Sequence, residues 1–162
     1  METFVHWLRH TPASVWINSQ IWIWPLCESI HFVGLSLLVG FVGFFDLRLM
    51  GFFKRVPIAA ARQLMPFAIL GFLLNLASGL VFLTGLPEQY AFNWAWWMKV
   101  TFLVLAGMNA IFYETRLSHV ILALGPNDDT PPIAKAIGFL SIFSWLAVLY
   151  WGRMLPFIGN AF

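Results

Sequence analysis

The stretch WPLCESIHFVGLSLLVG, residues 24–40, decides the fold. It is apolar enough for a lipid bilayer, yet it carries Glu28 and His31 three residues apart. A charged side chain near the centre of a span costs about 2.5–3.5 kcal/mol on insertion scales, so such residues turn toward a protein interior. One helix has no interior, and the stretch therefore demands partner helices. The rest of the chain supplies them: 60% of the residues are apolar and 10% charged, with a mean hydropathy of +0.81. Soluble domains carry about 25% charged residues. At 162 residues the chain has room for roughly four spans of about 20 residues each and no separate soluble domain.

Working outward, apolar segments predict spans at about 21–45, 64–86, 95–114 and 133–155. Turn-rich clusters such as TGLPEQ and GPNDDTPP separate them, and tryptophans crowd their ends in IWIWP, NWAWW and YWGR, as in an aromatic belt. The first residues mix Trp, Phe and Val with His, Arg and Asn. They predict a short amphipathic helix in the interface over about residues 2–18, with a break near TPAS and without the pattern of a removable signal peptide. The expected fold is all-α: an integral membrane four-helix bundle in a single transmembrane domain, with a short N-terminal interfacial helix.

Orientation follows from the loops. Arg48, Lys54, Arg55 and Arg62 follow the first span and Arg116 and Lys135 the third, whereas only Arg9, Lys99 and Arg153 lie on the other side. The positive-inside rule then places both termini on the periplasmic side of a bacterial inner membrane. The single cysteine, Cys27, excludes a disulfide framework and a Cys-rich metal centre, and a net charge of +2 gives no sign of nucleic acid binding.

Membrane helices pack through small residues and a few polar ones. At helical spacing these mark one expected interior: Glu28, His31, Gly34 and Leu38 on the first span; Gly71, Asn75 and Ser78 on the second; Thr101, Leu105, Met108 and Phe112 on the third; Gly138, Ser141, Trp145, Val148 and Gly152 on the fourth. A second set, Ser36, Gly40 and Gly43, lies off that stripe and suits close helix contact within the chain or in a homo-oligomer. Asp46 and Arg48, two residues apart, point to different faces. Arg48 is expected to anchor the cytoplasmic interface and Asp46 to bind a neighbouring helix end or a basic side chain.

Three readings of Glu28 and His31 follow. They form an internal hydrogen-bonded pair holding Asn75 and Ser78; or they are part of a metal site of the E-x-x-H kind found in four-helix bundles; or His31 ligates a haem. A dinuclear site lacks further carboxylates at that depth, since Glu114 lies near the opposite end. A haem b needs an imidazole, room beside it, aromatic walls and cations near the surface for its propionates. His31, about 15 Å from the outer end of its helix at 1.5 Å per residue, offers the ligand to the iron. Gly34 and Gly71 offer room, Asn75 a polar neighbour, Trp145 a wall, Lys99 and Arg153 the cations, and Met108 a sixth ligand, with Glu28 tuning or orienting. His6 and His10, four residues apart on the interfacial helix, with Glu2 near, form a separate candidate site for a metal ion such as copper.

The segments PLCESIHFVGLSLLVG, DLRLMGF, NWAWWMK, LAGMNAIFYE and GRMLPF resemble a family of small, largely uncharacterised bacterial four-span membrane proteins with an E-x-x-H motif in the first span. The resemblance covers nearly the whole chain, with Glu28, His31, Asp46, Arg48, Lys99, Asn109, Gly152 and Arg153 at matching positions. The family's third motif often ends in His where this chain has Glu114. More distantly, the organisation is similar to that of cytochrome b-type proteins, whose paired helix histidines are missing here. The expected function is a haem b-binding protein acting in electron transfer or redox sensing with a redox partner. The alternatives are a cofactor-free transporter or proton relay centred on Glu28, His31 and Asn75, and a structural partner subunit.

Overall fold

A computed structural model describes residues 1–158 and consists of helices joined by short loops. Two short helices, α1 (Glu2–Arg9) and α2 (Pro12–Ser19), precede the long α3 (Ile23–Leu49). The short α4 (Ile58–Arg62) leads into α5 (Met65–Gly85), and α6 (Pro87–Ala91) leads into α7 (Trp94–Arg116). A single turn, α8 (Ser118–Ile121), precedes α9 (Pro132–Met154). Four stretches, Ile23–Leu49, Ile58–Gly85, Trp94–Arg116 and Pro132–Met154, are long and apolar enough to cross a membrane. This is an all-α four-helix bundle of a multi-pass membrane protein. The first span runs four residues beyond its expected end, so that Asp46 and Arg48 belong to the helix.

The N-terminal segment is two helices rather than one. His10 ends the first and Thr11 caps the second, its hydroxyl accepting from the Ser14 N–H at 3.3 Å, and Pro12 sits at the first helical position, where its missing N–H costs nothing. α1 is tied to α6 by the Arg9–Glu88 ion pair, and α2 to the end of α5 by Asn18 Nδ2, which donates to the Gly85 carbonyl at 2.8 Å. These short helices gather at the end of the bundle that holds the chain's first residues and the end of α9, called here the terminus end.

α3 packs on α5 and on α9, and α9 on α7; the remaining edge, α5 to α7, is not closed by helix contact. Glycines set the close approaches. A Cβ on Gly34 would lie 2.8 Å from the Gly71 carbonyl oxygen, and one on Gly71 only 2.6 Å from that of Gly34. α9 presses on α3 in the same way, since a Cβ on Gly138 would meet the Asp46 carbonyl at 2.7 Å.

At the opposite, loop end, Arg48 corrects its expected role. It is not an interfacial anchor but wholly buried, at 0% exposure. Its Nε donates to the Val56 carbonyl at 2.7 Å and Nη2 reaches the Asp128 carbonyl at 3.5 Å, so one guanidinium ties both loops. The Thr130 hydroxyl donates to the Leu49 carbonyl at 2.6 Å, the Asn127 N–H to the Lys54 carbonyl at 2.8 Å, and Lys54 and Lys135 both pair with Asp129. Under these loops Leu49, Ile58, Ile121 and Ala134 form a buried cluster with Phe45, Tyr113 and Ile137.

The third span is rotated relative to expectation. Thr101, Leu105, Met108 and Phe112 are exposed, whereas Ala106, Asn109 and Tyr113 are buried. The reason is physical: Met, Leu and Phe are at home in lipid, while the Asn109 amide needs a partner. It finds one in α9, donating to the Ile137 carbonyl at 3.1 Å. Gly40 and Gly43 meet nothing within 4 Å of a built Cβ, so the second small-residue set is not a contact within the chain.

Candidate functional site

At the terminus end α3 and α9 part, and between them lies a cavity of about 750 Å³ walled also by α5, α6 and α7. This is within the range of sites that enclose a cofactor-sized ligand, roughly 300–1,000 Å³. His31 enters from α3 and Glu28 from one turn nearer the terminus end. Lys99 enters from α7, Arg153 from the end of α9, and Gln89 and Tyr90 from α6. Trp24, Phe82 and Trp96 supply aromatic wall, Trp24 stacking on Phe82 with centroids 5.8 Å apart.

His31 is oriented by α5. Its Nδ1 lies 2.8 Å from the Ser78 hydroxyl oxygen, and its ring is tilted against Phe82 at 5.6 Å. The single Ser78 proton is already given to the Leu74 carbonyl, at 2.7 Å. With that proton on Leu74, Nδ1 is the donor to Ser78 and the lone pair of a neutral imidazole is on Nε2; with it turned to His31, the two roles reverse. His31 therefore pairs with Ser78, not with Glu28, and the ring lining the cavity is held in a fixed orientation.

Two cations lie in the same space. Gly152 makes room for the Lys99 stem, which lies 3.6 Å from where a Cβ would be, and Arg153 sits over the Phe157 ring at 5.2 Å. Tyr90, on α6, has its hydroxyl pKa pushed up by burial and, secondarily, by the nearby Glu28 charge.

Of the residues expected at this site, the structure brings together Glu28, His31, Lys99 and Arg153. Gly34 and Gly71 are corrected: the room they offer is filled by each other's backbone, and the glycines that do line the cavity are Gly79 and Gly152. Asn75 belongs to the same α3–α5 seam, its amide donating to the Gly71 carbonyl at 2.9 Å. Met108 is 61% exposed on the outer face of α7 and cannot reach His31's cavity. Trp145 lines a different cavity, toward the loop end. Gln89 and Tyr90 were missed because a short polar helix between spans reads as a connecting loop.

Neither a protein-family model, a curated protein nor a solved structure matches this chain. The site must be read from its own geometry.

Outside this cavity, His6 and His10 stand ring to ring at 4.3 Å on exposed α1, with His10 Nδ1 against the His6 carbonyl at 2.7 Å. Among the described residues no third His, Cys, Asp or Glu joins them, Glu2 included. Glu114, at the loop end, is paired with Arg62 at 2.7 Å.

Proposed function

We propose that this protein is a haem b-binding membrane protein acting in electron transfer or redox sensing, with His31 Nε2 as the iron ligand. The observation that carries the reading is the Ser78–His31 hydrogen bond at 2.8 Å on a ring lining a cavity of about 750 Å³. A ligating histidine ordinarily donates its other ring N–H to a fixed acceptor, and the Ser78 hydroxyl beside Nδ1 suits that role. Lys99 and Arg153 suit the two propionates, Trp24, Phe82 and Trp96 suit the macrocycle faces, and Gly79 and Gly152 leave the walls thin. Bound there, a haem supplies one-electron chemistry; the chain's share is to hold the imidazole, neutralise the carboxylates and exclude water. With Met108 on the lipid face, the cavity receives one imidazole and no thioether.

The test is absorbance of protein expressed with ample haem supply. A Soret band that disappears in His31→Ala and persists in Met108→Leu is expected. A wild-type protein without the band, or His31→Ala with its full band, overturns the assignment.

One observation favours a second reading. Glu28, His31, Tyr90 and Lys99 are four titratable groups in one cavity, as a cofactor-free proton relay or transporter requires. A colourless wild-type protein whose proteoliposomes pass protons, and lose that flux in His31→Ala, would establish it.

We further place the chain in a bacterial inner membrane with both termini periplasmic, on the excess of Lys and Arg in the first and third loops. A cysteine introduced beside Lys54 should resist labelling from outside spheroplasts. A homo-oligomer would use the unpartnered Ser36, Gly40 and Gly43 face, and cross-linking at Gly40→Cys tests it.

A further inference from the structure

A second cavity, of about 400 Å³, lies toward the loop end, walled by α3, α4, α5, α7 and α9. Its walls are mostly apolar, with Phe45, Phe72 and Trp145 among them. Five buried side-chain polar atoms have no hydrogen-bond partner among the described residues, and two of them, Asp46 Oδ2 and the Tyr113 hydroxyl, belong to residues at this cavity. Both residues line this cavity, at 4% and 6% exposure. Ser141 serves the Asp46 carboxyl from α9, and Arg62 lies beside Tyr113, but neither reaches these two atoms with hydrogen-bond geometry. A buried donor or acceptor without a partner costs about 1–3 kcal/mol, so two such atoms on residues that line one space point to something that serves them both.

The approach to this space selects what can enter. It lies where α5 and α7 leave the bundle edge open, and Ile69 from α5 and Gly107 and Ala110 from α7, all exposed on the lipid face, are part of its lining. An entrant must therefore dissolve in lipid, which excludes free ions and sugars. Its polar group must pair with the Tyr113 hydroxyl, which donates or accepts, and with the Asp46 carboxyl, which accepts when ionised and also donates when protonated. A carbonyl or ether can only accept and an ammonium can only donate, so each serves the pair in some arrangements of its protons, whereas one hydroxyl serves it in all of them. The ring-rich wall favours an aromatic body over a bare alkyl chain.

We propose that this cavity binds a lipid-soluble aromatic hydroxyl compound, its OH bridging Asp46 and Tyr113. The inference is independent of His31 and its cavity. The test uses calorimetric titration of the full chain in phosphatidylcholine nanodiscs, with empty nanodiscs subtracted. The probes are 4-hexylphenol, 4-hexylanisole, which blocks the OH with a methyl group, and 1-decanol, which keeps the OH and lacks the ring. Saturable one-to-one binding of the phenol is expected, at least tenfold weaker for the anisole and the alcohol, and at least tenfold weaker for the phenol in Tyr113→Phe. That variant keeps the ring packed on Phe45 and removes one hydroxyl, so it should fold as the parent does; Asp46→Ala is the companion, and if it fails to fold the probe series and Tyr113→Phe still decide. Phenol uptake that never saturates, equal binding of anisole, equal binding of decanol, or unaltered affinity in Tyr113→Phe would each overturn the proposal.

Discussion

Replacing Gly71 by alanine tests how the two halves of the His31 site are held together. The new methyl carbon would sit 2.6 Å from the Gly34 carbonyl oxygen, 2.7 Å from the Leu38 nitrogen and 2.9 Å from Leu37 Cβ, where ordinary contact begins near 3.4 Å. The nearest atoms are backbone, so no rotamer change relieves the clash, and α3 and α5 must part by about 0.8 Å, the difference between 3.4 and 2.6 Å. Overpacking of this kind costs about 1–3 kcal/mol. The same displacement carried two turns along would stretch the His31–Ser78 bond from 2.8 Å to about 3.6 Å, past useful hydrogen-bond length. Gly40→Ala and Gly43→Ala on α3, where a Cβ meets nothing within 4 Å, are the controls. Unfolding by SDS in mixed micelles measures the cost, and nitrogen NMR of the His31 ring reports its tautomer. If Gly71→Ala lost less than about 0.5 kcal/mol, on the scale of ordinary surface changes, or if Gly43→Ala lost as much, glycine-set contact would not be what fixes α3 on α5.

Three further outcomes are expected. Ser78→Ala should weaken haem retention about 10–100-fold while His31 remains, since outer partners of ligating histidines carry effects of that size; competition with apomyoglobin measures it. Arg48→Ala should destabilise the protein by about 1–3 kcal/mol, the cost of leaving the buried Val56 carbonyl without its donor, and should expose the 50–57 loop to protease in detergent. Asp129 has its carboxyl held down to about 2 by hydrogen bonds from Lys135 and then Lys54. A depressed acid stabilises the fold above its unfolded value, about 3.9, and loses that contribution as pH falls toward 2. Asp129→Asn should therefore flatten the stability curve between pH 4 and 2 and leave its slope above pH 5 unchanged.

The four spans were legible because lipid imposes length and hydropathy on each of them separately. The inward phase was legible where small and polar residues coincide, as in Gly71 and Ser78, and in Gly138 and Ser141. It failed on α7, where Thr101 and Met108 look functional while Ala106, Asn109 and Tyr113 fix the packed face; weighting amides and phenols above thioethers would have found it. Gly34 and Gly71 show a different limit. A glycine on an inward stripe signals close approach, but spacing along one helix cannot say whether a cofactor or another backbone comes close. Arg48 was read as interfacial because its partners, the Val56 and Asp128 carbonyls, are loop backbone, which leaves no trace in residue type.

The bundle is stitched at one end and parted at the other. Arg48, Thr130 and Asp129 bind the loops, and Gly138 sets α9 against α3 beside Asp46. Fourteen residues along α9, about 21 Å at helical rise, Gly152 lines the cavity that separates α9 from Glu28 and His31 of α3. The two helices thus work as the arms of a pair of tongs with the pivot at Gly138. A methyl group added at the pivot, where it would meet the Asp46 carbonyl, would change the jaw width there, so the breadth of the cavity lined by His31 is governed from the opposite end of the span.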